Sequence, residues 1–129
     1  MPSLSSIDHV HVYVDSWAEA EPWYRDVLGF DRMPEFESWA VNGGPLTLTS
    51  GPGGVHLALF ESDASPSSTI AFGASGEEFL AWKSHLEGLS IALRVADHSL
   101  AWSMYFSDPF GNCHEITSYD HAVIASALK

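Results

Sequence analysis

Two histidines and one glutamate that could bind a metal lie in two widely separated segments of this 129-residue chain. His9 and His11 alternate with valines near the start, and Glu115 lies between Cys113 and Thr117 near the end. Alternate residues of a strand point to the same face, so His9 and His11 could both reach one metal ion. Imidazole and carboxylate groups suit divalent transition metals, which makes metal chemistry the first hypothesis.

The elements that must position these residues are predicted strands, each followed by a helix. Residues 7–14 and 69–74 alternate between apolar and other residues, as strands with one buried face do. Ser16 with Glu19, and Ser75 with Glu78, have the spacing of a helix capping box. Both segments continue with apolar residues at helical spacing, so each strand is predicted to lead into an amphipathic helix.

The two helices match at the constant offset that separates Ser16 from Ser75. Trp23 matches Trp82, which predicts a buried aromatic residue in each helix, and Gly29 matches Gly88, which predicts that each helix ends there. The segments that follow contain Gly and Pro at matching turns and predict further strands. Each half is therefore predicted to be one βαβββ module, at about residues 5–62 and 67–120, joined by a polar linker at residues 62–68.

The predicted fold class is α+β, with residues 1–129 forming one domain. The two modules would form a curled mixed sheet around a shared cup, with the helices outside and the polar strand faces lining the cup. Such a cup would bring residues from both ends of the chain to one site.

Three motifs resemble the vicinal oxygen chelate family, which includes glyoxalases, bleomycin resistance proteins and extradiol dioxygenases. They are Ile-Asp-His-Val at residues 7–10, Trp-Tyr-Arg-Asp-Val-Leu-Gly-Phe at 23–30 and Asp-Pro-Phe-Gly-Asn-Cys-His-Glu at 108–115. The resemblance implies a divalent metal in the cup that polarises substrate oxygens. His9 and Glu115 match two family ligand positions, whereas Thr69, or Ser68 if the alignment shifts by one, and Ala58 occupy the other two.

Further donors are available beside the two matching positions. His11 shares the strand face of His9, and His56 lies two residues before Ala58 on one strand face. Together with Glu115 they could form a facial His/carboxylate site for Fe, Mn, Ni or Zn. A histidine that faces a cup is also often only a hydrogen-bonded polar group, which remains the alternative for His11 and His56.

Five residues are candidates for substrate binding or catalysis besides the metal ligands: Tyr13, Thr69, His98, Tyr105 and Thr117. The phenols could position substrate or donate protons, although aromatic residues on a sheet usually supply packing. Thr117 shares the strand face of Glu115, and His98 precedes a strand where it could reach the rim of the cup or simply face solvent.

Composition limits the partners. The net charge is −12, with five Lys and Arg against 17 Asp and Glu, so the field disfavours nucleic acids and anionic membranes. Few cationic residues are available to bind anionic substrates of the fosfomycin or glutathione type. No apolar run approaches the length of a membrane span and no signal peptide is evident, so a cytoplasmic protein is expected. The resemblance and the exposed sheet edges favour a homodimer.

Two classes of function remain open from the sequence. The first is a divalent-metal-dependent lyase, isomerase or dioxygenase acting on a small oxygen-bearing substrate. The second is a metal-free, bleomycin-resistance-like protein that sequesters a cationic or aromatic small molecule, which the negative charge and five Trp residues favour. A scaffold with a vestigial cup is a third interpretation.

Overall fold

The computed structural model describes residues 1–3, 6–63 and 69–128, which fall into two compact units, Met1–Pro66 and Ser67–Lys129. Each unit contains a four-stranded mixed sheet with helices, so the predicted α+β class with two similar βαβββ modules is confirmed. The shared cup and the single domain stay predictions. Most of the predicted linker, residues 64–68, lies outside the described residues.

The first unit begins with strand β1 (Val10–Val14), helix α1 (Trp17–Leu28) and the short strand β2 (Asp31–Arg32). A 3₁₀ helix (Pro34–Trp39) then leads to β3 (Leu46–Thr49) and β4 (His56–Glu61). The strand order is β1-β4-β3-β2, with β1 parallel to β4 and the other pairs antiparallel.

The second unit repeats this plan and adds a helix. It contains β5 (Thr69–Gly73), α2 (Gly76–Gly88), β6 (Arg94–Asp97), β7 (Trp102–Ser107), β8 (Cys113–Ser118) and α3 (His121–Ala127). The strand order is β5-β8-β7-β6, with β5 parallel to β8 and the other pairs antiparallel. The sequence pattern did not predict α3 or the 3₁₀ helix, because both are too short to show helical periodicity.

Alternation along the strands separates an apolar face from a polar one. In β1, Val12 and Val14 are buried, whereas His11 on the opposite face is exposed. The buried side chains of α1 include Ala20 and Tyr24, and those of α2 include Phe79 and Leu86. Burial of these apolar faces stabilises each unit and leaves the polar face of its sheet for other roles.

The prediction that a tryptophan is the buried aromatic residue of each helix is wrong in detail. Trp23 and Trp82 are only half-buried, and the fully buried aromatic side chains of the helices are Tyr24 and Phe79. Trp23 packs edge-on against Tyr24, with ring centroids 4.9 Å apart. Tyr24 directly follows Trp23 and so lies about 100° further around the helix axis, which is enough to separate a core position from one at the edge of the core.

The predicted helix ends are confirmed in part. Ser75 Oγ accepts a hydrogen bond from Glu78 N at 3.2 Å, whereas the Ser16 side chain makes no cap bond. Gly29 ends α1 in the left-handed conformation at φ 74°, but α2 continues through Gly88. The left-handed residue after α2 is Ser90, at φ 60°. No helix in the described ranges is both long and apolar enough to cross a membrane.

Candidate functional site

His9 and His11 converge through their ring nitrogens at the start of β1. Their Nε2 atoms lie 3.1 Å apart, and the two rings stack at a centroid distance of 5.1 Å and an angle of 24°. Asp8 Oδ2 lies 2.9 Å from His9 Nδ1, which places the His9 proton on Nδ1 and leaves its Nε2 lone pair free to accept. The His11 ring packs against Phe60 at 4.7 Å, which limits its rotation.

This geometry fits part of a divalent metal centre. Two nitrogens that each lie about 2.0–2.1 Å from one metal ion are separated by about 3.0–3.4 Å at ordinary coordination angles. The Nε2 separation of His9 and His11 falls in that range. A carboxylate behind a ligating imidazole is the usual orienting partner in such sites, and Asp8 holds that position behind His9.

His56 and Tyr13 lie on the same side of the first sheet as His11. We name this side, which carries His11, Tyr13, His56 and Ala58, the histidine face. His56 is half-buried, and Tyr13 lies 6.1 Å from Phe60 between ring centroids. Within the described parts of the chain, no group of three or more His, Cys, Asp or Glu side chains is arranged to hold a metal ion. His56 therefore does not join His9 and His11 in such a group.

Glu115 lies at the centre of a polar cluster on the second sheet. Ser103 Oγ donates a hydrogen bond of 2.7 Å to Glu115 Oε2, and the Ser103 side chain is buried. Thr117 Oγ1 lies 3.1 Å from the same serine oxygen. The serine has a single proton, and the carboxylate is the stronger acceptor, so Ser103 orients Glu115. The other carboxylate oxygen, Oε1, has no hydrogen-bond partner among the described residues.

Tyr105 and His98 form a hydrogen-bonded pair beside Glu115. His98 Nε2 lies 2.9 Å from the Tyr105 hydroxyl oxygen. Strand pairing sets Tyr105 opposite Glu115 on one side and opposite Arg94 on the other, and the Arg94 guanidinium carbon lies 4.2 Å from the Tyr105 ring centroid. We name this side of the second sheet, which carries Arg94, Tyr105, Glu115 and Ala71, the carboxylate face.

Strand register fixes which positions of the two units correspond. Leu57 pairs with Val10 in the first unit, and the matching His114 pairs with Ile70 in the second, so Thr69 corresponds to His9. On the same register Ala58, opposite His11, corresponds to Glu115, opposite Ala71. Thr69 is exposed and pairs with Cys113. The first unit therefore carries a metal-donor side chain, His9, where the second carries Thr69. The second unit carries one, Glu115, where the first carries Ala58.

His114 lies on the opposite face of β8 from Glu115 and is fully buried. Its ring packs between Phe72 and Phe106, with centroid distances of 5.9 and 5.7 Å. Burial lowers the pKa of His114 to about 4, although the nearby Asp108 carboxylate acts in the opposite direction. His114 is therefore a neutral core residue at neutral pH and not a ligand candidate.

The turn before β8 holds that strand in position. Asp108 Oδ1 accepts hydrogen bonds from Phe110 N at 2.9 Å and Asn112 N at 2.8 Å, and Asn112 Nδ2 donates to Asp108 Oδ2 at 2.7 Å. Asp108 and Asn112 are both buried. These bonds explain the Asp108 and Asn112 positions of the motif, which hold the turn that leads into β8 and Glu115.

The structure thus groups the predicted site residues into two sets, one in each unit. His9 and His11 form a pair, and Glu115 and Thr117 form another with Ser103 between them. Three contributors were not predicted from sequence: Asp8, Ser103 and Arg94. The adjacency of Asp8 to His9 could have signalled the first, but the roles of Ser103 and Arg94 depend on cross-strand register.

A family model described as the Glyoxalase/Bleomycin resistance protein/Dioxygenase superfamily matches residues 6–116. No curated protein sequence matches the chain. Among solved structures, lactoylglutathione lyase from Agrobacterium tumefaciens is 24% identical with a TM-score of 0.73, over 92% of this chain and 97% of that one. A glyoxalase/dioxygenase from Nostoc punctiforme is 19% identical with a TM-score of 0.69, over 91% and 99%.

A third similar structure contains a metal. It is a variant of the fosfomycin resistance protein FosX from Listeria monocytogenes, complexed with Mn(II) and 1S,2S-dihydroxypropylphosphonic acid. It is 14% identical with a TM-score of 0.72, over 90% of this chain and 93% of that one. At these identities the likeness concerns the fold.

Proposed function

Because the chain belongs to the glyoxalase, bleomycin resistance protein and dioxygenase superfamily, we propose that it is a divalent-metal-dependent enzyme acting on a small oxygen-bearing substrate. The reaction is of the lyase, isomerase or dioxygenase type. The observation that carries the proposal is the convergence of His9 and His11, with Asp8 behind His9. The Mn(II) in the FosX structure supports the same class of cofactor.

In this proposal His9 and His11 supply two imidazole ligands, and Glu115 supplies the carboxylate that the family motif assigns to it. Asp8 holds His9 in the tautomer with a free Nε2 lone pair. Ser103 holds Glu115 by one oxygen, so that the other faces the ligand. A bound Fe, Mn, Ni or Zn ion would supply Lewis-acid polarisation of substrate oxygens. His56, the fourth ligand candidate, lies on the histidine face but does not form a metal-binding group with His9 and His11 in the described residues.

The remaining candidates bind substrate or handle protons in this proposal. The Tyr105 hydroxyl, held by His98, is placed to exchange a hydrogen bond with a substrate oxygen. Thr117 supplies a further hydroxyl beside Glu115. Tyr13 on the histidine face and Thr69, at the position that corresponds to His9, are assigned to substrate contacts.

A metal-free binding protein is the second candidate. The observation that favours it is the presence of Ala58 and Thr69 at two of the four family ligand positions, neither of which is a usual metal ligand at such sites. The net charge of −12 suits a cationic or aromatic ligand. In that case His9 and His11 would be polar residues of a binding surface.

Elemental analysis separates the two candidates. Protein purified without an affinity-tag metal and without chelator is expected to carry about one divalent metal per chain, and His9→Ala, His11→Ala and Glu115→Ala to lose it. Asp8→Ala is expected to weaken the metal affinity about 10- to 100-fold, since it removes the acceptor of the His9 Nδ1 proton. Loss of metal in the histidine variants alone would remove Glu115 from the ligand set.

His85→Ala is the matched control, because His85 is exposed on α2 and outside the proposed ligand set. It is expected to retain the full metal content. A wild-type protein that binds none of the four metals in equilibrium dialysis would contradict the enzyme and favour the metal-free binder. We also propose that the protein is a cytoplasmic homodimer, which light scattering and cell fractionation would test.

A further inference from the structure

Arg94 differs from the other cationic side chains of the described residues in having no carboxylate partner. Arg25 pairs with Asp26 at 2.9 Å and Lys83 with Glu87 at 3.1 Å. Arg32 donates two hydrogen bonds of 2.7 Å to Glu21, which raise the pKa of the guanidinium and lower that of the carboxyl. In a chain with 17 acidic residues, a guanidinium left outside these ion pairs is a notable exception.

The position of Arg94 is set by the sheet and by Tyr105. Its guanidinium carbon lies 4.2 Å from the Tyr105 ring centroid, which is a cation–π contact. Among the described residues, no hydrogen bond or ion pair occupies the Arg94 guanidinium, so its N–H groups are available to donate. A guanidinium edge presents two parallel donors, which match the two oxygens of a carboxylate or a phosphate.

The Tyr105 hydroxyl adds a further donor at the same place. His98 Nε2 lies 2.9 Å from it, and in the tautomer that carries its proton on Nε2 the imidazole donates to the phenol oxygen. The phenol proton is then directed to a third group. Arg94 and Tyr105 therefore present donors from neighbouring strands on the carboxylate face.

We propose that Arg94 and Tyr105, with His98 as the positioning residue for Tyr105, form a subsite for an oxyanion group of the ligand, a carboxylate or a phosphate. The subsite deepens the proposed function, on which its role in substrate binding rests. It also revises the expectation that anionic substrates are disfavoured, because one unpaired guanidinium on the carboxylate face is enough to bind one oxyanion.

The spacing of the strands constrains the ligand further. Arg94, Tyr105 and Glu115 lie in one row across three strands, and neighbouring strands are about 4.8 Å apart. The backbones of Arg94 and Glu115 are therefore about 10 Å apart. A ligand that places its oxyanion on Arg94 would therefore have its other oxygen-bearing end a few bonds away, beside Glu115.

The subsite is tested in protein that has been stripped of metal with EDTA and then dialysed into metal-free buffer without EDTA, so that the result does not depend on the metal centre and the chelator's carboxylates do not compete. Sodium pyruvate and sodium phosphate are titrated separately against protein with ¹⁵N-labelled arginine, and ionic strength is held constant with sodium chloride. We expect a saturable shift of the Arg94 Nε–H signal with at least one probe. Arg94→Gln is expected to weaken that binding about tenfold or more, and Tyr105→Phe about threefold.

Arg25→Gln is the matched control, because Arg25 is paired with Asp26 and exposed, and it is expected to leave the affinity unchanged. Equal thermal unfolding midpoints of the variants would establish that Arg94→Gln still folds. Absence of saturable binding for both probes, or equal affinity in Arg94→Gln, would overturn the subsite. The His9→Ala variant is expected to lose the metal but to bind the probe as the wild type does. That result would separate the two proposals, because the subsite and the metal centre could each fail without the other.

Discussion

The two units share a backbone plan but differ in the chemistry that their sheets present. The first carries two converging imidazoles and Ala58 at the position where the second carries Glu115. The second carries Thr69 at the position where the first carries His9. Strand pairing therefore gives the two units equivalent positions. The residue at each position decides which unit supplies the nitrogen donors and which supplies the carboxylate.

The starts of α1 and α2 show a similarity that the sequence repeat did not reveal. Trp17 N donates to Glu61 Oε2 at 3.0 Å, and Gly76 N donates to Asp120 Oδ2 at 2.7 Å. In both units the acceptor lies 44 residues after the donor, at or just after the end of the last strand. A carboxylate at a helix N-terminus satisfies a free N–H and complements the helix dipole, so both units use the same tertiary cap.

The largest expected effect concerns the helix cores. Phe79 and Ala20 occupy matching helix positions and are both fully buried. Phe79→Ala gives the second unit the residue of the first, and it is expected to lower the free energy of unfolding by about 3–5 kcal/mol because it leaves a cavity. Urea denaturation checks this. Phe36→Ala is the control, since Phe36 is half-buried and stacks on exposed Trp39, and an equal loss there would contradict the interpretation.

The second prediction concerns His114, whose counterpart in the first unit is the equally buried Leu57. The pKa of His114 is lowered to about 4 in the folded protein, whereas an unfolded histidine titrates near 6.5, so the unfolded state binds the extra proton first. The stability of metal-free protein is therefore complete above pH 6.5 and falls as the pH drops toward 4. Between pH 7 and pH 5 this loss amounts to about 2 kcal/mol.

His114→Leu removes that titrating group and gives the second unit the residue of the first. Its free energy of unfolding is expected to fall less than that of the wild type between pH 7 and pH 5, by about 2 kcal/mol. Denaturant unfolding at both pH values measures the difference. Identical pH profiles for variant and wild type would show that another group governs acid sensitivity. Any effect of the altered packing is an offset common to both pH values.

Gly76 tests the packing of α2 against α3, a helix that has no counterpart in the first unit. A Cβ atom at Gly76 would lie 2.9 Å from Asp120 Cβ and 3.0 Å from Val123 Cγ1. Gly76→Ala is therefore expected to destabilise the protein by about 1–2 kcal/mol, although alanine normally favours a helix. Gly88→Ala is the control, because its Cβ would meet nothing within 4 Å, and its thermal midpoint should not fall.

The smallest expected effect concerns the serines that precede the two helices. Ser75 caps α2 through its side chain, whereas Ser16 makes no such bond. Ser75→Ala is expected to cost about 1 kcal/mol, and Ser16→Ala no more than a few tenths. Thermal unfolding of the two variants side by side measures the difference. Equal losses would mean that the capping difference between the units has no energetic consequence.

Much of the fold was predictable, because period-two and helical spacing identified β1, α1, β5 and α2, and the turn residues separated the later strands. The detail that failed was local. The tryptophan spacing did not reveal that Tyr24 and Phe79 fill the cores, and the capping box at Ser16 did not form. Trp17 N is bonded to Glu61, and a partner so remote in the chain leaves no sequence signal.

The residues of the candidate site, like the elements of the fold, could be predicted only in part. Residue type and the family motifs identified His9, His11 and Glu115 as metal-ligand candidates. The roles proposed for these three residues stay predictions. Asp8 could be inferred from its adjacency to His9. Ser103 and Arg94 could not, because each contacts a residue on a neighbouring strand, and the register that brings them there is not contained in either segment alone.

By itself the sequence determined the class of fold, its duplication and the residue types available for chemistry, because these depend on spacing along one strand or helix. Only the tertiary structure decided which side chains contact one another. Hydrogen bonds and ring contacts between strands require a specific register and burial, and those arise from packing of the whole unit. The orientation of Glu115 by Ser103 and the exposure of an unpaired Arg94 over Tyr105 are consequences of that packing.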